Sequence, residues 1–321
     1  MVAIETNGLT KRYGDHAAID GLDLTVNRGD VFGFVGPNGA GKSTTINILL
    51  DYVRPSDGSA TVLGFDAQEQ RRAVRERIGV LPDGYDLYDR LTGREHIRFA
   101  GNMNGVSVDE AQLLDRVGVS IDDAERPVGT YSTGMRQRLA LGLTTIGDPE
   151  LLLLDEPTSG LDPHGVALLQ QLVREEADRG ATVFFSSHVL DHVESVCNRV
   201  GILDDGRLVA MDTIEGLRDD ADSGSTVEMA VEPMPDGIDE ALATLEAVHA
   251  VDVTDSTITV STTDSAAKPA VIDCVRDAGA RVADVTTREA TLEQVFDAYT
   301  TQPTDGRRTA AGRPPGGRRD R

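Results

Sequence analysis

The chain has 321 residues, with 54 acidic against 31 basic side chains and a formal net charge of -23. A surface of that sign discourages non-specific binding to nucleic acid. Two cysteines, Cys197 and Cys274, are too few for a disulfide scaffold, and no apolar run approaches the length that crosses a bilayer. The start, "MVAIETNGLT", lacks the basic flank and apolar stretch of a secretory signal. An apolar fraction of 39% supports a sizeable core, and the length suits two domains or one large α/β domain.

Short strands are expected over residues 2–35. There "VAIE", "AIDGLDLTV" and "DVFGFVG" alternate or cluster apolar residues between turn signals such as Asn27-Arg28-Gly29-Asp30. A helix follows Gly41, burying Ile46, Ile48 and Leu49; "RPSDGSATVLGFDA" reads as a turn and a strand. Residues 86–145 read as a mostly helical subdomain with Leu91, Ile97, Phe99, Leu113 and Leu114 in its core. "ELLLLDEP" is the clearest buried strand, stopped by Pro157. A helix over residues 164–179, the strand "ATVFFSSH", a helix in "VLDHVESVCNRV" and a hairpin around Asp205-Gly206 come next. Strands alternating with helices predict an α/β fold with a largely parallel sheet over residues 1–215.

Residues 216–226, "GLRDDADSGST", read as a polar linker. A small α+β unit over residues 227–300 follows, with strands and helices in the order βαββαβ and a last helix "TLEQVFDAYT". No catalytic constellation stands in it. Residues 301–321 hold six arginines and two aspartates among Gly and Pro and read as a disordered tail. Such a tail is either merely solvated or in contact with anionic headgroups or the acidic surface of the chain itself.

The chemistry concentrates in "VGPNGAGKST", residues 35–44. Gly36, Gly41, Lys42 and Ser43 fit the spacing G-x-x-x-x-G-K-S/T after a strand and before a helix. With Pro37, Asn38, Gly39, Ala40 and Thr44 they form a loop whose amides turn inward onto phosphate oxygens at a helix N-terminus. The motif gives Lys42 to the β- and γ-phosphates of ATP and the Ser43 hydroxyl to Mg2+. Asp155, ending the leucine strand, is placed to hold that metal through water, and Glu156 to act as general base on the attacking water.

These residues name a resemblance. Residues 1–215 resemble the nucleotide-binding subunit of ABC transporters, a P-loop NTPase with a helical subdomain. "YSTGMRQRLALG" looks like that family's signature motif, centred on Ser132, Thr133 and Gly134. "SGLDP" looks like its D-loop with Asp162, His188 like its switch histidine, and Tyr13 like the aromatic that stacks on adenine. The resemblance implies a dimer sandwiching two ATP, either a homodimer or a pseudo-symmetric pair. It also implies a separate multi-span permease as partner, and a peripheral position on the cytoplasmic face of the cell membrane.

One position departs from the family pattern. Where the family has a glutamine that touches the metal, this sequence has Asp83, which is shorter and, ionised, only accepts hydrogen bonds. "STGM" in place of "SGGQ", with the short C-terminal unit, resembles the branch that exports drugs, sodium and antibiotics. Dispersed acids with only three lysines resemble proteins of salt-loving archaea. Two other readings stay open: a soluble ABC ATPase acting on ribosomes or DNA, and an ATP-binding regulatory subunit without turnover.

Overall fold

The computed structural model describes residues 1–220, 226–262, 267–288 and 291–301. The expected tail, residues 302–321, lies outside the described residues.

The chain opens with an antiparallel sheet. β1 (Val2–Tyr13) pairs with β2 (His16–Asn27) on one side and β4 (Asp57–Val62) on the other, and β5 (Phe65–Asp66) closes the edge. Between β2 and β4 come β3 (Val31–Val35) and α1 (Lys42–Leu49), which enter a second sheet. α2 (Arg71–Arg75) leads to β6 (Ile78–Leu81).

A helical subdomain follows, with α3 (Gly93–Asn104), α4 (Glu110–Arg116), α5 (Ile121–Ala124) and α6 (Thr133–Thr144). α3 begins with a reciprocal capping box between Thr92 and Glu95. Ile97, Leu113 and Leu114 are buried as expected. Phe99, expected in the core, is 51% exposed. The buried residues of α3 are Gly93, His96, Ile97 and Gly101, a stripe at i, i+3, i+4 and i+8 that leaves Phe99 on the opposite face.

β7 (Leu151–Asp155), α7 (Pro163–Asp178), β8 (Thr182–Ser187), α8 (Leu190–Glu194), β9 (Arg199–Asp204) and β10 (Arg207–Thr213) complete the second sheet, in the order β10-β9-β3-β8-β7-β6. Its strands from β9 to β6 are parallel, and β10 returns antiparallel through the Asp205-Gly206 turn. α8 is shorter than the helix expected there. Asn198 exchanges bonds with Val31, its side-chain oxygen accepting from Val31 N at 3.1 Å and its amide donating to Val31 O at 2.9 Å, which draws the chain into β9.

The parallel strands are buried on both faces. Leu151 and Leu153 join Phe32, Phe34 and Phe184 in a layer against the first sheet. Leu152 and Leu154 join Val35, Val183 and Phe185 in a layer against α6 and α7. An unbroken leucine run is the sequence form of such a strand, since successive side chains face opposite layers. Each fully buried leucine contributes roughly 1.5–3 kcal/mol.

α9 (Ile214–Asp220) runs into the expected linker as far as Asp220, and residues 221–225 lie outside the described residues. β11 (Thr226–Glu232), α10 (Ile238–Ala243), β12 (Val248–Val253), β13 (Thr257–Thr262), α11 (Lys268–Asp277) and β14 (Arg281–Arg288) form an antiparallel sheet in the order β12-β13-β11-β14. Val227, Met229, Leu242, Ile258 and Val271 make its separate core. The last helix, α12 (Leu292–Thr301), leaves that unit and packs on α8, α9 and β10. Its Leu292 and Val295 are fully buried in the core of the parallel sheet, a long-range packing that differs from the expected grouping over residues 227–300.

Candidate functional site

Parallel strands end on one side of their sheet, so the loops after β3, β6, β7 and β8 converge there. β3 delivers the loop 36–41 and Lys42, β7 delivers Asp155 and Glu156, β8 delivers His188, and β6 delivers Asp83.

The loop is closely packed beneath. A Cβ on Gly36 would collide with the Leu203 carbonyl, and one on Gly41, whose φ is +110°, with that of Ala18. Only glycine lets the chain pass between these carbonyls. Pro37, Asn38 and Gly39 form the exposed tip, and Ala40 is anchored where its carbonyl accepts from Gly206 N at 3.0 Å. Lys42 is 5% exposed and donates to Gly36 O at 2.7 Å and Pro37 O at 3.2 Å. Ser43 and Thr44 follow, half-buried, in the first turn of α1.

The acids meet this loop from the neighbouring strand. Glu156 Oε1 lies 3.6 Å from Lys42 Nζ, and Glu156 Oε2 lies 2.8 Å from His188 Nδ1. A carboxylate only accepts, so the Nδ1 proton is the one shared. Oε1 is buried and has no hydrogen-bond partner. Glu156 is a non-glycine residue at φ +48°, the left-handed region that usually costs about 1–3 kcal/mol. The turn swings its side chain back toward Lys42 instead of along the strand.

Asp155 is 4% exposed and accepts from the hydroxyls of Ser186, at 2.5 Å, and Ser43. Burial pushes its carboxyl above the usual aspartate range, the two hydroxyls oppose that, and the charges of Asp83 and Glu156 add to it. Asp83 stands exposed in the turn after β6. The donor set fits a hard cation: a buried carboxylate beside a hydroxyl, with further negative charge near by. Among the described residues no three His, Cys, Asp or Glu side chains cluster as a complete metal cage. Magnesium, which keeps several waters and takes substrate phosphates, suits so few protein ligands.

A second cluster is built from helix N-termini. Ser132 caps α6, accepting from Met135 N at 3.2 Å; Thr133 and Gly134 form its first turn. Asp162 caps α7, accepting from Gly165 N at 2.7 Å. Gly134 and Thr133 lie against Gly160, so the two segments share one surface. Tyr13 stands apart from both clusters, 51% exposed at the β1–β2 turn, with Lys11 Nζ 5.0 Å from its ring centroid.

Two side chains that sequence reasoning missed join these parts. The Ser186 hydroxyl bonds the Asp155 carboxylate and the backbone N–H of Glu156, and Gln137 of α6 donates to Pro157 O at 3.1 Å. A serine within a buried strand and a glutamine within a polar helix face carry no spacing signal. The only available hint was the polar Ser186 following an apolar run.

Comparison with known proteins agrees with this geometry. The family model described as ABC transporter matches residues 19–159. The chain is 36% identical over 301 residues, 92% of its length and 94% of the relative's, to the daunorubicin resistance ATP-binding protein DrrA3 of Streptomyces coeruleorubidus. It is 43% identical over 218 residues, 67% of the chain and 72% of the relative, to a fluoroquinolones export ATP-binding protein of Mycobacterium tuberculosis. A solved ATP-binding subunit of an ABC transporter superposes with a TM-score of 0.63 at 28% identity, covering 68% of this chain and 92% of that one. A dimeric ATP-binding cassette in a post-hydrolysis state with ADP and Pi shares the fold at TM-score 0.60 and 21% identity, covering 66% of this chain and 98% of that one. Identity sustained along nearly the whole chain reflects common descent, and the chain belongs to the ABC transporter family as an ATP-binding, ATP-hydrolysing subunit of the drug-resistance and export type.

Proposed function

We propose that the chain hydrolyses ATP at the cluster around Lys42 and that the turnover drives a separate multi-span permease. The observation that carries this reading is one carboxylate held between a lysine and a histidine, with a buried oxygen left for a water. Lys42 and the amides of residues 36–44 take the phosphates. Glu156 accepts a proton from the water as its oxygen bonds to the γ-phosphorus. The bond to the β–γ bridging oxygen breaks, leaving ADP and phosphate. His188 fixes Glu156 and reaches the γ-phosphate. Ser43 and Asp155, with Asp83 through water, would hold Mg2+, which when bound offsets charge on the phosphate oxygens.

The second cluster faces a partner subunit in this reading. Ser132, Thr133 and Gly134 at the start of α6 grip the γ-phosphate held by the other protomer, Asp162 links the two sites, and Tyr13 stacks on adenine. Two protomers, identical or paralogous, close head to tail over two ATP. The names of the relatives speak of resistance to daunorubicin and export of fluoroquinolones, which supports export of a drug-like cargo by the permease. No helix among the described residues is long and apolar enough to cross a membrane. In this reading the permease holds the chain at the cytoplasmic face. The acidic, lysine-poor composition supports a salt-rich working solvent, where surface repulsion is screened.

The test is co-purification of tagged protein from detergent-solubilised membranes of its host in molar salt. A multi-span partner at fixed ratio is expected. Recovery only from the soluble fraction, attached to ribosomal or repair proteins, overturns the permease reading.

A further inference from the structure

Ser186 is fully buried in β8, a strand that is otherwise mostly apolar. In register it lies between Phe34 of β3 and Asp155 of β7, so it stands between the strand that delivers the phosphate loop and the strand that delivers the acids. Its single hydroxyl makes two bonds of opposite sense. It donates to Asp155 Oδ1 at 2.5 Å and accepts from Glu156 N at 3.0 Å. The Ser186 carbonyl also accepts from Glu156 N, at 3.2 Å.

The two bonds act on the two acids differently. The first holds the Asp155 carboxylate at one oxygen and fixes its plane beside Ser43. The second holds the peptide of Glu156 at the point where its backbone enters the left-handed region. A non-glycine residue keeps such a conformation only when its surroundings hold it there. That conformation carries the Glu156 carboxylate to Lys42 and His188.

We propose that Ser186 is a positioning residue for hydrolysis, setting the directions of Asp155 and Glu156 through one hydroxyl. This rests on the reading of Glu156 as the base and Asp155 as the metal-side acid. Ser186 itself touches no reacting atom. Its removal leaves Glu156 N bonded to the Ser186 carbonyl, so the fold is retained while the angular hold on both carboxylates is lost.

The experiment compares wild type, Ser186→Ala and Ser186→Thr in the full chain. Steady-state kcat and KM for ATP, the melting temperature, and Mg2+-dependent binding of a fluorescent ATP analogue are measured for each. For Ser186→Ala the expectation is a tenfold or larger fall in kcat and a KM within twofold of wild type. Half-saturating Mg2+ for analogue binding rises severalfold, and the melting temperature changes little. Ser186→Thr, which keeps the hydroxyl, recovers most of kcat and the Mg2+ dependence. A Ser186→Ala protein with wild-type kcat and Mg2+ dependence overturns the proposal. So does a threonine variant that behaves like alanine, or a loss of rate matched by an equal loss of thermal stability. Glu156→Gln is run beside them: if it turns over normally, the reading of the base fails, whereas its inactivity with a wild-type Ser186→Ala sinks only the role of Ser186.

Discussion

His188 Nδ1 and Glu156 Oε2 lie 2.8 Å apart, a contact between the loops that follow β8 and β7. The histidine is half exposed and the glutamate nearly buried, so the contact seals one carboxylate oxygen and leaves the other facing Lys42. Glu156→Gln keeps the shape and removes the proton acceptor. Its kcat falls on the order of 100-fold or more. At saturating ATP it accumulates as an ATP-bound dimer by size-exclusion chromatography with light scattering. A monomer under those conditions would rule out the sandwich.

His188→Ala frees Glu156 Oε2 without touching the phosphate loop. The expected result is a loss in kcat on the order of 100-fold, with ATP affinity by equilibrium titration nearly unchanged. An equal loss in affinity would mean that His188 works in binding alone.

Asp155 has its carboxyl raised, chiefly by burial. In the folded chain it therefore keeps a proton at pH values where the unfolded chain has lost it. Stability falls as pH rises through that interval, and the cost is present in full on its alkaline side. Asp155→Asn removes the titration. Its melting temperature at pH 8 exceeds that of wild type, and the gap closes as pH falls through the carboxylate range. Parallel melting curves across that range, by scanning calorimetry, would refute the burial penalty.

Arg116 at the end of α4 bonds Glu176 at 2.7 Å and Glu175 at 2.9 Å on α7, and Arg179 also pairs with Glu176. Glu176 is fully buried, and these two guanidinium groups are its ion-pair partners. Arg116→Ala destabilises the fold by about 3 kcal/mol in urea titration. Arg116→Ala with Glu176→Gln recovers part of that loss, because the buried charge has gone too. A double variant less stable than the single one would point to lost packing.

Leu292 of α12 is fully buried against the core of the parallel sheet. Leu292→Ala costs about 2–4 kcal/mol of that core's stability. Urea unfolding followed by hydrogen exchange at β7 and β8 checks where the loss is felt. A loss confined to β11–β14 would contradict the packing.

What was legible in the sequence is what local chemistry fixes. The loop around Lys42 has a spacing that phosphate binding demands, and Asp155 and Glu156 stand out at the end of four leucines. The double-sided burial of β7 follows from that same run. Phe99 was misplaced because its neighbours in sequence do not reveal where the α3 stripe falls, and α8 was overextended because the bonds of Asn198 to Val31 cross 167 residues. Ser186 was invisible for a related reason. Its importance lies in what stands beside it on β7, and no periodicity along β8 reports that.

The return of α12 changes how the small sheet is attached. α9 enters it and α12 leaves it, and both helices are seated on the same body, with Leu217 and Leu292 in one core. In three dimensions the sheet is thus an insertion tethered at both ends, although in sequence it resembles a C-terminal appendage. A stop codon after β13 would remove α12 with the rest and strip the ATPase of part of its own interior. Excision of residues 221–290 with a short linker would spare it.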